Sequence, residues 1–267
     1  MRNLIKYELK GDFKLFGIVF AIAALLNVGL FSRIGKWDEQ LIILFSGMVS
    51  SFLFLTILIF VIKSFEKEMY EDRGYLTFTL PVSGRKIVGS KIITALIWFA
   101  VAGIVSLIFG RILIGLIYGQ SSINELTAYF STYINIKVIL SGILFVIINT
   151  ITLLLLIYFS ITITRVALKG KRVSKFLGFV VFIALNAAIV YIQYKLIHLF
   201  PQTVSFMPEF LQNFRGDGDI MKLGEEALIT MNNSGININI AGLIYNIAVY
   251  VGLFLGTGYL IDNKIDI

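Results

Sequence analysis

Few residues in this sequence could do covalent or acid–base chemistry, and most of the charged ones lie outside its apolar runs. There is one histidine, His198, and no cysteine, which excludes histidine-clustered metal sites, thiolate nucleophiles and a disulfide framework. The run Gly84-Arg85-Lys86-Ile87-Val88-Gly89-Ser90-Lys91 approaches the phosphate-loop pattern G-x-x-x-x-G-K-[ST]. Its last pair is inverted and no strand precedes it, so its basic residues read as interface anchors for the apolar run that follows, and ATP hydrolysis by this chain is not expected. An intramembrane enzyme would need Glu with His, or Ser with a base, inside the apolar runs, where His198 has no such companion.

Two further groups carry polarity into those runs. Arg111, Lys137, Lys195 and His198 fall near the outer ends, where long side chains reach the interface at little cost. Asn27, Ser46, Ser50, Asn149, Thr150, Thr152 and Asn186 fall deeper. These suit a pathway lining, with Asn27, Ser46, Ser50 and Asn186 as its candidates. They suit equally well helix-to-helix hydrogen bonds worth roughly 1 kcal/mol each.

The elements that position these groups follow from composition. Of 267 residues, 58% are hydrophobic and 15% charged, and the mean hydropathy is +0.89, whereas soluble domains run near half apolar and about a quarter charged. Apolar runs near Leu15 to Phe31, Leu41 to Ile62, Ile92 to Ile117, Val138 to Ile163, Phe176 to Leu199 and Ile240 to Ile261 are of the length, roughly 20 residues, that crosses a bilayer as helix. Lipid leaves only helix or closed barrel, and barrel strands would alternate in polarity, which these runs do not. The expected fold is all-α: one polytopic domain, residues 1–267, with six transmembrane helices.

Four pieces lie between the spans. In Met1 to Lys14, Ile5, Leu9, Phe13 and Phe16 fall on one helical face and Lys6, Lys10 and Lys14 on another, as in an amphipathic helix lying in the interface. A positively charged flank that only orients the first span is the simpler alternative. The loop from Lys63 to Lys91 is longer than a helix–helix turn; Glu66, Glu68, Glu71 and Asp72 lead to Arg73 and Gly74, then a semi-apolar stretch to Pro81. Thr164 to Lys175 holds five basic residues and no acidic one. In the outer segment 201–239, Phe206, Phe210 and Phe214 are spaced by four, suggesting a short amphipathic helix. Gly252 and Gly256 form a G-x-x-x-G on the last span, a helix-packing signature.

An amphipathic N-terminal helix, two spans, the run Glu71-Asp72-Arg73-Gly74-Tyr75-Leu76-Thr77-Phe78-Thr79-Leu80-Pro81-Val82-Ser83 and four more spans resemble the permease subunits of ABC-2 type exporters. The resemblance covers the whole chain in topology and is specific in residues only over about 66–91. It implies a cytoplasmic coupling helix between spans two and three, with Glu66, Glu68, Glu71, Asp72, Arg73, Gly74, Tyr75, Leu76, Phe78, Leu80 and Pro81 at a separate ATPase subunit. It also implies a second permease copy, identical or related, ATP and Mg bound on the ATPase and no cofactor on this chain. The function implied is export of an amphipathic or hydrophobic substrate, peptide ahead of drug, across a bacterial cytoplasmic membrane. An ATPase-independent secondary transporter or channel is the alternative.

With the N-terminus inside, sixteen of the 23 basic residues fall on the cytoplasmic side and only Arg33, Lys36, Arg111, Lys137, Lys195, Arg215 and Lys222 fall outside or at outer span ends. The net charge of +7 therefore speaks for anionic lipid headgroups rather than nucleic acid. Both termini are expected in the cytoplasm. Reporter fusions after Lys91 and after Lys175 should read as cytoplasmic and one at Asp217 as external; an external reading at Lys91 overturns this topology.

Overall fold

The computed structural model describes residues 1–70, 83–133, 136–167, 175–206, 229–232 and 235–264. Six of its helices are long and apolar enough to cross a membrane, making this a helical, multi-pass membrane protein. In chain order the elements are α1 (Arg2–Phe31), α2 (Glu39–Tyr70), α3 (Gly84–Tyr133), α4 (Ile136–Ala167), α5 (Lys175–Leu199), strands β1 (Thr203–Phe206), β2 (Ile229–Asn232) and β3 (Gly235–Asn239), and α6 (Ile240–Lys264). Each helix outruns its apolar stretch because backbone hydrogen bonding continues into polar sequence. The chain divides into two compact units, Met1–Thr132 and Tyr133–Asp266.

In the first unit, α1 and α2 form a hairpin. Its turn uses Gly35 at φ 79°, a left-handed conformation that glycine adopts without strain. Asp38 closes it by accepting the Gln40 amide at 3.0 Å, an N-cap for α2. The packed stripe of α2, Leu53, Ile57, Val61, Phe65 and Met69, repeats every four residues and faces inward along one side. Aromatic rings join the three helices: Phe16 lies 4.3 Å from Trp98 and 6.1 Å, edge-on, from Phe60, geometries that ring quadrupoles favour. Ala95 and Ala102, both buried on α3, let its backbone come close.

One expectation for this unit is corrected. Residues 1–14 form no separate interface helix but the opening turns of α1. Ile5 and Leu9 are half-buried, and Phe13 is 68% exposed while Phe16 is 1% exposed. The packed face keeps Ile5, Leu9 and Phe16 but takes in half-buried Glu8 and Asp12 in place of Phe13, because a straight helix presents to α2 and α3 whatever continues the stripe below Phe16. Span three runs to about Ser121, close to its expected end near Ile117. The helix breaks at Gly119 (φ 82°, ψ 170°) and resumes to Tyr133, with Ile123 turned back so closely on Gly115 that a Cβ there would lie 2.8 Å from its Cδ1.

The second unit packs α4 against α6 and α5 against both. Its buried stretch, Leu154, Leu155, Leu156, Tyr158, Ile161, Leu253 and Ile261, is joined by hydroxyls that return to carbonyls one turn back, Thr162 to Tyr158 at 2.8 Å and Thr257 to Leu253 at 2.7 Å, which satisfies those two donors within their own helices. Beyond α5, β1, β3 and β2 make an antiparallel sheet in that order, Phe206 opposite Ile236. Phe206 is therefore in a strand, not the expected helix; Thr203-Val204-Ser205 and the Ile–Asn alternation of β3 favour extended backbone. Phe210 and Phe214 lie outside the described residues. Asn239 ends β3 by accepting the Gly242 amide at 2.8 Å, capping α6, and donates to the Phe200 carbonyl at 2.8 Å.

The G-x-x-x-G signature divides. A Cβ on Gly256 would lie 3.1 Å from the Phe159 ring, whereas one on Gly252 meets nothing within 4 Å. Gly256→Leu is expected to lower stability by about 1–3 kcal/mol through overpacking, read as a lower melting point in detergent, and Gly252→Ala to leave it unchanged or slightly raised.

Candidate functional site

The packed stripes of the first three helices change from apolar to charged at one level. On α1, Phe16 is followed toward the N-terminus by Asp12 and Glu8; on α2, Val61 by Ser64 and Glu68; on α3, Trp98 is preceded by Lys91 and Ile87. Spacings of three and four residues keep each set on one side of its helix. The N-terminal turns of α1 and α3 thus meet the last turns of α2 with their ionisable side chains converging.

Lys91 is the centre. Its Nζ lies 2.7 Å from Glu68 Oε1 and 3.4 Å from Glu8 Oε1 and donates to Ser64 Oγ at 3.0 Å. Its side chain is 5% exposed, those of the two glutamates 15%. An ammonium carries three donors and here each has a partner, which offsets its removal from water. Ser90 donates to the Ile87 carbonyl at 2.8 Å and stands 3.4 Å from Glu8 Oε1. The outer oxygen of Glu68, Oε2, is fully enclosed and has no hydrogen-bond partner among the described residues. Beside the triad opens a cavity of about 270 Å³, walled by Tyr7, Glu8, Gly11, Asp12, Ser64, Glu68, Ser90 and Lys91 among others. No group of three or more acidic or histidine side chains among the described residues could hold a metal ion.

Set against the expected sites, Glu66 and Glu68 belong to the body of α2 rather than to a loop, and only Glu68 reaches the triad. Glu71, Asp72, Arg73, Gly74, Tyr75, Leu76, Phe78, Leu80 and Pro81 lie outside the described residues. Lys91 is no interface anchor: it opens inward, while Arg85 and Lys86 are exposed. The run from Gly84 to Lys91 is helical throughout. Asn27 and Ser46, offered as pathway lining, are buried and bonded to each other, Ser46 Oγ to Asn27 Oδ1 at 2.9 Å, so they tie α1 to α2. Ser50 is half-buried and Asn186 exposed on α5. Asn149, Thr150 and Thr152 each donate to a carbonyl of their own helix, at 2.8 to 2.9 Å. Lys195 sits over the Tyr191 ring at 5.8 Å and His198 against Tyr194 at 4.5 Å.

Glu8, Ser64 and Lys91 escaped the reading of the sequence because each sits in a segment whose basic residues suggest a solvated face. A signal was present: Glu8, Asp12 and Phe16 continue one four-residue stripe, and a carboxylate on such a stripe calls for a buried partner. Compared with protein-family models, with curated proteins and with solved structures, the chain matches none of them.

Removing one member of a buried ion pair leaves the other uncompensated, at about 3–5 kcal/mol. Lys91→Met is expected to destabilise the protein by that order, read as a lower thermal midpoint of the purified chain. Adding Glu8→Gln and Glu68→Gln should restore most of the loss, since the triple variant buries no charge; failure to restore would assign the loss to packing instead.

Proposed function

We propose that this chain is the membrane subunit of an ATP-driven exporter, in which the segment between α2 and α3 receives the work of a separate ATPase. The observation that carries this reading is the bonding of Glu68 to Lys91 at 2.7 Å. These two residues flank the 71–83 run that resembles an ABC-2 coupling element, and both are bonded to α1 through Lys91 and Glu8. A displacement applied to that run would reach three helices through one charged joint rather than dissipating in a slack linker. Two permease copies and two ATPases, with ATP and Mg on the latter, make the assembly this reading requires. Both termini face the cytoplasm of a bacterium.

The helices' chemistry supports a reading of the substrate class. The exposed surface of the spans is built of Leu, Ile, Val and Phe, which favours an amphipathic or hydrophobic cargo, a peptide before a drug. Movement is by alternating access, the joint transmitting ATPase closure to the spans. A secondary transporter or channel would instead run without any ATPase.

Truncating an aromatic anchor at an interface typically costs about 2 kcal/mol or more, roughly thirtyfold in affinity. Phe78→Ala and Tyr75→Ala are expected to weaken ATPase co-purification by that order and uncouple transport, with membrane insertion intact. Lys169→Ala, in the basic stretch that follows α4 in sequence, should do little. Wild-type ATPase binding and transport in both aromatic variants would remove the coupling assignment.

A further inference from the structure

The part of α3 beyond Gly119, residues 120–133, is helical but does not have the composition of a span. It reads QSSINELTAYFSTY, with Glu125 its one charged residue. At about 100° per residue, positions 126 and 130 fall within about 60° of Ile123 around the helix, and positions 129 and 133 lie further round on the same side. Asn124, Glu125 and Ala128 fall on the opposite side and are exposed. A sequence divided in this way suits a boundary between an apolar and an aqueous phase.

The stem from which this segment continues sets its level in the membrane. The stretch of α3 apolar enough to cross a bilayer ends at Ser121, its last apolar residues being Ile117 and Tyr118. Tyr118 is 52% exposed, as suits an aromatic residue at headgroup level. Gly119 then takes φ 82° and ψ 170°, a conformation that a side chain opposes, and the helix changes direction. One side of the new segment is turned toward the stem: a Cβ on Gly115 would lie 2.8 Å from Ile123 Cδ1. That is the apolar side, so it looks back toward the hydrocarbon while Asn124 and Glu125 look away. Thr127, between the two sides and exposed, donates to the Ile123 carbonyl at 2.7 Å, so its hydroxyl is satisfied without water.

We propose that residues 120–133 form a membrane-surface helix, continuous with the third span and lying in the headgroup–acyl boundary of the bilayer, with the side of positions 123, 126 and 130 toward the lipid. Its partner is the lipid surface, because a helix that starts where a span ends already stands at that surface. With one acidic and no basic residue, the segment is held by apolar and aromatic burial and not by attraction to anionic headgroups. The inference rests only on the chain crossing a membrane and is independent of the exporter reading.

The chain has no cysteine of its own, so each single substitution carries one spin label. Asn124→Cys, Leu126→Cys, Ala128→Cys and Phe130→Cys are labelled in the full chain in phosphatidylcholine vesicles, with Ile108→Cys, at an exposed position within the span, as the reference. Collision of each label with oxygen, which concentrates in lipid, is compared with collision with a water-soluble nickel chelate. Oxygen is expected to dominate at 108, 126 and 130 and nickel at 124 and 128, with the same pattern after phosphatidylglycerol is added. Leu126→Asp, introduced beside Phe130→Cys, should release the segment, turning the label at 130 from oxygen to nickel; Leu126→Asp beside Ile108→Cys should leave the label at 108 unchanged, which shows the span intact. Nickel at all four positions of the segment would put it in water, oxygen at all four would put it inside the hydrocarbon, and exclusion of both reagents from 126 and 130 would mean that protein covers that side. Each of these overturns the proposal, as does a pattern that forms only with the anionic lipid.

Discussion

Away from bulk water a charged side chain must find its whole complement of partners in the protein, and the lower part of the first unit is organised by how Lys91 meets that demand. With Glu68 at 2.7 Å, Glu8 at 3.4 Å and Ser64 at 3.0 Å, one ammonium fixes the level at which three helices stand relative to one another. The layers above follow from that register. Phe16 comes opposite Phe60 and Trp98 only if Glu8, two turns earlier on the same helix, is where Lys91 can reach it. Buried ion pairs add little net stability over apolar packing, but their geometric demands are strict, and here they select one alignment of otherwise interchangeable greasy surfaces.

The second unit solves the same problem without charge. Hydroxyls on α4 and α6 bond back to their own helices, and Gly256 leaves room for the ring of Phe159. Tyr245 donates to the Ile189 carbonyl at 3.2 Å, tying α6 to α5. Asn239 does two jobs at the junction with the sheet, capping α6 and holding the end of α5. Small residues and local hydrogen bonds are the usual means of helix contact where lipid competes equally well for apolar surface.

The spans were legible because roughly twenty apolar residues in lipid leave the backbone almost no alternative to helix. The inward faces were not. Surrounded by hydrocarbon, a span is apolar all round, so periodicity no longer separates core from exterior; of the expected face Ile5, Leu9, Phe13 and Phe16, Phe13 turned out exposed while Glu8 and Asp12 joined the packed side. Polar residues were misjudged for the same reason: Asn27 and Ser46 become partners only once two helices are set side by side, and Lys91 looks solvated until Glu8, 83 positions earlier, is brought beneath it. The strands were missed because a four-residue aromatic spacing was followed in place of the two-residue alternation of Ile236, Asn237, Ile238 and Asn239.

The hairpin of α1 and α2 is fastened at three heights: by the tight turn through Gly35 and Asp38, by Ser46 bonded to Asn27 partway along, and by Lys91 bridging Glu8 and Glu68 at the far end. Two rods pinned once can pivot, and pinned twice can still bow apart between the pins; three fastenings along their length suppress sliding and splaying together. Fastened so, the pair resists bending more than tilting, and a displacement at its charged foot is carried by both helices together to the turn through Gly35 at their other end.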